Sequence, residues 1–364
     1  MNSPDLLYSD VEEDLRASVR ALLTDRADAA AVLARTESTE PYDLGLWRTL
    51  AADLGAAGLM VPESLGGHGA SARETAVVLE ELGRSVAPVP FLGSAVLATA
   101  ALLPTGDELL SPLASGELTA ALAVPLTTAP GSPFPATVRA DGTLTGQVRT
   151  VADASAAATF VVPAVSTSDG PGLYAVDSSA ATVTEVVPLD LTRRIADVTF
   201  SGATARPIVL GPAAESALDS ALSTAAGLLA SEQTGLAEWA LTETVTYLKG
   251  RYQFGRPVGG FQSLKHRLAN LYTELVNARA TARYAADALA GGYDVPIAVA
   301  VAQARAAPVA VHATEEAVQL HGGIGMTWEH PLHLYLKRAK SDELAFGTPG
   351  RHRTRLAELV DLPG

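Results

Sequence analysis

The chain has 364 residues, 48% of them hydrophobic and 18% charged, and its 26 Lys and Arg against 40 Asp and Glu give a formal net charge of −14. That length can bury a large core and form two or three packed layers, and the balance is that of a folded protein rather than a disordered one. The acidic surplus has no offsetting basic block and argues against nucleic acid or anionic lipid as a main partner; the absence of cysteine excludes disulfides, thiolate zinc sites and iron–sulfur clusters.

The first 30 residues carry Asp5, Asp10, Glu12, Glu13 and Asp14 and no apolar signal core, and the apolar stretch Phe91–Leu103 is too short for a membrane span. A cytoplasmic enzyme or enzyme subunit is expected. Apolar residues at three- and four-residue spacing predict helices over Val11–Thr24, Leu44–Ala57 and Ala72–Leu82. A glycine-rich loop, Val61-Pro62-Glu63-Ser64-Leu65-Gly66-Gly67-His68-Gly69, precedes the third. From about Leu118 to Pro212 the pattern changes to short alternating or apolar runs: Thr119–Pro125, Thr143–Val151, Thr159–Ala164, Leu173–Val176, Thr182–Val187 and Ala196–Phe200. Asp141-Gly142 is a hairpin signal, and an antiparallel β layer is expected.

After Pro212 the chain reads as helical again. Leu264, Leu268, Leu271, Leu275, Ala278 and Ala282 form the seam of a helix packed along another. Gly291-Gly292 should end it, and Pro308 should kink or start the next. Helix, then sheet, then helix, without βαβ alternation, gives an α+β chain rather than a Rossmann fold. The expected parts are an N-terminal helical domain over 1–116, a middle antiparallel β domain over 117–212 and a C-terminal four-helix bundle over 213–364.

Two loops carry chemistry. Arg251-Tyr252-Gln253-Phe254-Gly255-Arg256-Pro257, with Phe261-Gln262 after it, lies between two long helices. An arginine, a glutamine, an aromatic and a glycine turn suit a planar cofactor bearing phosphate, or else an arginine cap with a phenylalanine in the core. Gln319-Leu320-His321-Gly322-Gly323-Ile324-Gly325-Met326-Thr327-Trp328-Glu329 looks like a phosphate loop, but it follows a helix and not a strand, so the dinucleotide fingerprint does not apply. Gly322-Gly323 is first of all a helix stop. His330 and His333 have i,i+3 spacing with no third ligand pattern, so no metal is expected.

Together, Arg-x-x-Phe-Gly…Phe-Gln and Gln-x-x-Gly-Gly-x-Gly resemble the acyl-CoA dehydrogenase family, and Val61-Pro62-Glu63…Gly66-Gly67-x-Gly69 resembles its N-terminal loop. The resemblance covers nearly the whole chain. It implies a flavoprotein with FAD at a subunit interface, where the two loops reach across to the cofactor held mainly by the neighbouring chain. On that basis Arg251, Gln253, Phe254, Gln262, Gln319, Gly323 and Thr348 are the cofactor candidates. The implied reaction is α,β-dehydrogenation of an acyl-CoA thioester, in which a carboxylate removes the α-proton and the β-hydrogen leaves as hydride to flavin N5. The implied electron acceptor is an electron-transferring flavoprotein.

The sequence departs from the family where the base should be. One family seat is a Glu in a Tyr-Glu-Gly-Thr segment, seventeen residues after the Glu of the glycine turn; counting from Glu329 gives Phe346, followed by Gly347-Thr348. The other seat lies about 26 residues before the motif arginine, at Ala225. Neither holds a carboxylate. Glu232, Asp342 and Glu343 are the substitutes within reach, each also readable as an ordinary solvated or paired carboxylate. The strand that touches flavin and substrate in the family survives only as Leu126-Thr127-Thr128-Ala129-Pro130-Gly131-Ser132, and the segment beside the flavin ring as Arg149-Thr150-Val151. The chain is similar to actinobacterial steroid-type members that form heterotetramers, which implies a homologous partner supplying base and ring surface. Other assemblies and roles follow from the same features: a homo-oligomer, a flavin-dependent oxygenase on this fold, or a non-catalytic structural subunit.

Overall fold

The computed structural model describes residues 4–362. Helix α1 (Asp10–Arg26) starts at a capping box: the Ser9 hydroxyl accepts from Glu12 N, and the Glu12 carboxylate accepts from Ser9 N at 2.7 Å. Then come α2 (Ala29–Thr36), α3 (Leu44–Arg48), α4 (Ala72–Ser85), α5 (Thr99–Leu102) and α6 (Leu110–Ala114). The helix expected over Leu44–Ala57 is broken into α3, a π-turn over Thr49–Asp53 and a 3₁₀ turn over Ala56–Gly58. Gly55 is in the left-handed region and ends the π-turn.

Strands β1 (Ala120–Leu122), β2 (Val138–Asp141), β3 (Thr143–Ala152), β4 (Thr159–Ser166), β5 (Gly170–Asp177), β6 (Ala181–Glu185), β7 (Ile195–Ala203) and β8 (Arg206–Leu210) form one sheet. The order is β6-β7-β3-β2-β4-β5-β8, with β1 also on β4. The sheet is mixed, not antiparallel throughout, because β1 and β2 both run parallel to β4. The reason lies in β4 itself. Phe160, Val162 and Ala164 enter the core of the sheet while Val161 joins the main helical core, so both faces are covered, as parallel pairing requires.

Helix α7 (Pro212–Gly250) is 39 residues long and follows a glycine, with Pro212 as its first residue. After a small hairpin of β9 (Tyr252–Gln253) and β10 (Arg256–Pro257) come α8 (Gln262–Gly291), α9 (Val295–His321), α10 (Leu332–Leu344) and α11 (Pro349–Leu359). Leu271, Leu275, Ala278 and Ala282 of the expected seam are buried, and Gly292 ends α8 in the left-handed region. Pro308 does not mark a boundary. It lies inside α9, whose packing against α7, α8, α10 and α11 carries the helix past one missing N–H. The stretch Val295–Met326 is long and apolar enough to cross a membrane by length and composition, but over half of its apolar window is buried among those helices.

The helical layers meet most closely where α4 crosses α7. A Cβ on Gly83 would sit 2.1 Å from Glu232 O, and one on Gly235 would sit 2.0 Å from Glu80 O. Only hydrogen fits at either point. Gly83→Ala or Gly235→Ala should therefore lower stability by at least about 2 kcal/mol in urea unfolding. Gly250→Ala meets nothing within 4 Å and should change it by under about 0.5 kcal/mol.

Candidate functional site

Helices α7 and α9 end side by side. The Tyr247 hydroxyl donates to His321 O at 3.2 Å, so the loop after α7 and the turn after α9 leave the same end of the bundle. In the first loop β9 and β10 pair through Arg256↔Gln253 and Pro257↔Tyr252, which puts Phe254 and Gly255 at the tip. Both tip residues have positive φ, 54° and 76°, the combination of a type I′ hairpin. A phenylalanine in that region is strained by about 1 kcal/mol or more. Phe254 is nevertheless 90% exposed, and its ring meets only the edge of Phe261 at 6.3 Å. The alternative of a core phenylalanine is excluded.

Arg251, Gln253 and Gln262 are also exposed, as are Gln319 and Gly323 in and beyond the last turn of α9. These six candidates are thus free surface groups at one end of the bundle. Thr348 lies elsewhere, at the start of α11, where its hydroxyl accepts from Arg351 N at 3.3 Å as a helix cap.

The segment 126–132 is closed down on its neighbours. Leu126 N donates to Thr150 O at 3.0 Å, and Phe346 N donates to Leu126 O at 2.9 Å. Gly131 N donates to Asp219 Oδ1 at 2.6 Å, and Arg351 donates to the Ser132 hydroxyl at 3.0 Å. The Ala129 methyl lies 2.8 Å from where a Cβ on Gly347 would begin. Phe346 is fully buried at φ 53°, and Thr150 bulges out of β3 at φ 54°. A single residue, Leu126, therefore ties two strained non-glycine residues together through its backbone. A cleft of about 480 Å³ borders this closure between the 129–131 segment and the starts of α7, α9 and α11, lined by Asp219, Arg351 and His352.

The three substitute carboxylates are not free. Glu232 accepts three hydrogen bonds, two from Arg193 at 2.6 and 2.7 Å and one from Arg338 at 2.7 Å. Burial alone raises its carboxyl, but the two guanidinium groups outweigh that and hold it below the ordinary range. Asp342 accepts from Arg193 as well. Its burial, and then the Glu232 charge, push it well above the ordinary range. Glu343 pairs with Lys340 at 2.7 Å. Glu232 is thus held toward its ionised form between two guanidinium groups, while burial beside Glu232 pushes Asp342 toward its protonated form, and neither faces open space. Arg193 and Arg338 went unnoticed in the sequence because their partners are 39 to 149 residues away along the chain.

Residues 9–117 match the family model for the acyl-CoA dehydrogenase N-terminal domain and residues 216–360 match that for the C-terminal domain. The chain is 40% identical to the acyl-CoA dehydrogenase IpdE2 of Mycolicibacterium smegmatis over 97% of its own length and 99% of that protein. Among solved structures, the Tcur3481–Tcur3483 steroid ACAD variant is 31% identical with a TM-score of 0.85, covering 97% of this chain and 98% of that one. The ChsE4–ChsE5 complex of Mycobacterium tuberculosis is 29% identical with a TM-score of 0.86, covering 99% and 100%.

Glu232→Gln should cost about 3–5 kcal/mol, since it leaves buried guanidinium charge uncompensated. Asp342→Asn, which replaces a carboxyl already pushed toward its neutral form by burial, should cost less, under about 1 kcal/mol. The pH dependences oppose each other. The Glu232 contribution is complete above its unfolded pKa of about 4.3 and is lost as pH falls through its lower folded value, whereas Asp342 favours the fold below its unfolded pKa of about 3.9 and that benefit is lost as pH rises through its folded value. Urea unfolding from pH 2 to 9 checks both; equal costs for the two variants would overturn the assignment.

Proposed function

The chain belongs to the acyl-CoA dehydrogenase family of FAD-dependent oxidoreductases, and from that premise we propose that it works as one of two homologous chains in a dehydrogenase for acyl-CoA thioesters with a bulky, steroid-type acyl group. Its role in that pair is to present the nucleotide-binding edge. The partner supplies the catalytic base and the surface against the flavin ring. The observation that supports this reading is the closure of the 126–132 segment on Phe346: the stretch that the family resemblance sets against the flavin ring is bonded to this chain's own backbone.

FAD fits the two parts of this chain differently. Arg251 and Gln253 could hold a pyrophosphate or an adenine edge, with Phe254 to cover the ring and the Gly322-Gly323 backbone to approach it, and all of them face outward. Segment 126–132 is instead bonded to Thr150 and Phe346, and the cleft beside its residues 129–131 is lined by Asp219, Arg351 and His352. When bound, FAD supplies the hydride acceptor for dehydrogenation. What this chain lacks is the base. Phe346 and Ala225 stand at the two seats that the family resemblance gives, and neither can take a proton. A positioned general base contributes about 10²–10⁴-fold, and Glu232 and Asp342 are committed to the ion network. The names of the solved relatives, a Tcur3481–Tcur3483 steroid ACAD and a ChsE4–ChsE5 complex, support both the acyl class and the two-chain assembly. An electron-transferring flavoprotein is the acceptor this reading expects.

A second reading, a purely structural subunit, is favoured by the same closed segment; it differs in giving the 251–262 loop no cofactor to hold. Flavin-to-protein ratios decide between them. The purified chain alone should carry almost no FAD and show no flavin bleaching with acyl-CoA under anaerobic conditions. Co-expressed with its homologue it should carry about one FAD per two chains, and Arg251→Ala in this chain should lower that occupancy. Unchanged occupancy in Arg251→Ala favours the structural subunit. Stoichiometric FAD with full turnover from this chain alone would refute both.

A further inference from the structure

Three side chains that the dehydrogenase reading leaves unused meet near the end of α9. Glu243 stands on α7, His321 is the last residue of α9 and His330 lies in the turn before α10. One ligand atom from each lies within 4.8 Å of the other two. Glu243 is far from both histidines in sequence, so the spacing of His330 and His333 gave no sign of this grouping.

His321 is the informative member. It is 3% exposed, and its Nδ1–H donates to Ala317 O at 2.7 Å. That bond fixes the tautomer and leaves Nε2 with a bare lone pair. Nε2 is buried and has no hydrogen-bond partner among the described residues. Tyr247 stacks on the ring at 4.2 Å and ties down the His321 carbonyl, which holds the imidazole in place. A buried imidazole anchored to a carbonyl through one nitrogen and unsatisfied at the other is in the state that a metal ligand needs. The His330 ring lies 4.5 Å from that of His321, and its Nε2 is 3.8 Å from Glu243 Oε1.

The geometry points to a divalent transition-metal site made by Glu243, His321 and His330, of the class that zinc, cobalt or nickel takes, with its remaining position open to water. Two imidazoles and one carboxylate are a three-ligand zinc set. An ion centred in a triangle with 4.8 Å sides is about 2.8 Å from each corner. Contraction by under about 1 Å per ligand atom reaches metal–nitrogen and metal–oxygen distances of about 2.0–2.2 Å. His330 would give up only a long contact, 3.4 Å from Leu332 N to its Nδ1. The ion would join α7, α9 and the turn that follows Gly322-Gly323, so it braces the base of the exposed 322–329 turn.

The test uses the untagged full-length chain, stripped with EDTA. Zinc is titrated by calorimetry and by thermal melting, and cobalt by its visible d–d absorption. One equivalent of zinc should bind and raise the melting midpoint, and cobalt should give the intense band of a low-coordinate site. His321→Ala and Glu243→Gln should each weaken zinc binding at least about tenfold and remove the cobalt band. His330→Asn serves as a further ligand variant should His321→Ala fail to fold. His312→Ala removes an exposed histidine paired with Glu274 and should leave both signals unchanged. No saturable equivalent, or an equivalent untouched by all the ligand variants, would overturn the site.

Discussion

Two guanidinium groups, Arg193 from the loop before β7 and Arg338 from α10, converge on one carboxylate of α7, Glu232, in a space closed to water. Asp190 pairs with Arg338 at 2.6 Å, and Thr192 accepts two hydrogen bonds from it. Charges placed there have no hydration to fall back on. They are tolerable only while the sheet loop, α7 and α10 keep a single relative placement, because withdrawing any one group strands the others. A hydrophobic contact tolerates sliding, whereas this cluster does not. Its value lies in fixing registry rather than in net stabilisation, since buried ion pairs give back in desolvation much of what they gain.

The closed segment hangs from that same cluster. Asp342 belongs to it, and the chain from Asp342 through the end of α10 leads within four residues to Phe346, whose N–H reaches Leu126. On the sheet side Asp153 holds Tyr42 and Gly93 N, and three residues before it Thr150 accepts from Leu126 N. The contact between the 126–132 segment and the 346–351 turn is thus fixed at both ends by buried polar groups. It is not a loose gap that a cofactor could open with a side-chain rotation.

Much of the layout was legible in the sequence because its signals are local. Strand alternation, the Asp141-Gly142 turn, the seam of α8 and the glycine stop at its end depend on residues within a few positions of one another. The loops over 251–262 and 319–329 were readable as helix-ending loops for the same reason. The parallel pairing of β1 and β2 with β4 was not, because it depends on which layer covers each face of β4 and not on the strand's own pattern. Glu232 and Asp342 could be proposed as spare carboxylates only while Arg193 and Arg338 were unknown, and nothing near either carboxylate in sequence announces those arginines. Pro308 misled for the opposite reason: a strong local signal is overridden by burial against four other helices.

Backbone strain separates the two faces of the molecule. Phe346 and Thr150 spend theirs inward, where a shared neighbour and full or partial burial recover the cost. Phe254 has no such return. It sits at positive φ with its ring in solvent, held there by a two-residue hairpin and a distant edge contact with Phe261. A strained, exposed aromatic is unfavourable both to the backbone and to the solvent around it, and a surrounding structure that fixes such a residue is ordinarily explained by what the residue later covers. A planar ligand or an apolar partner surface would remove the exposure without relieving the turn.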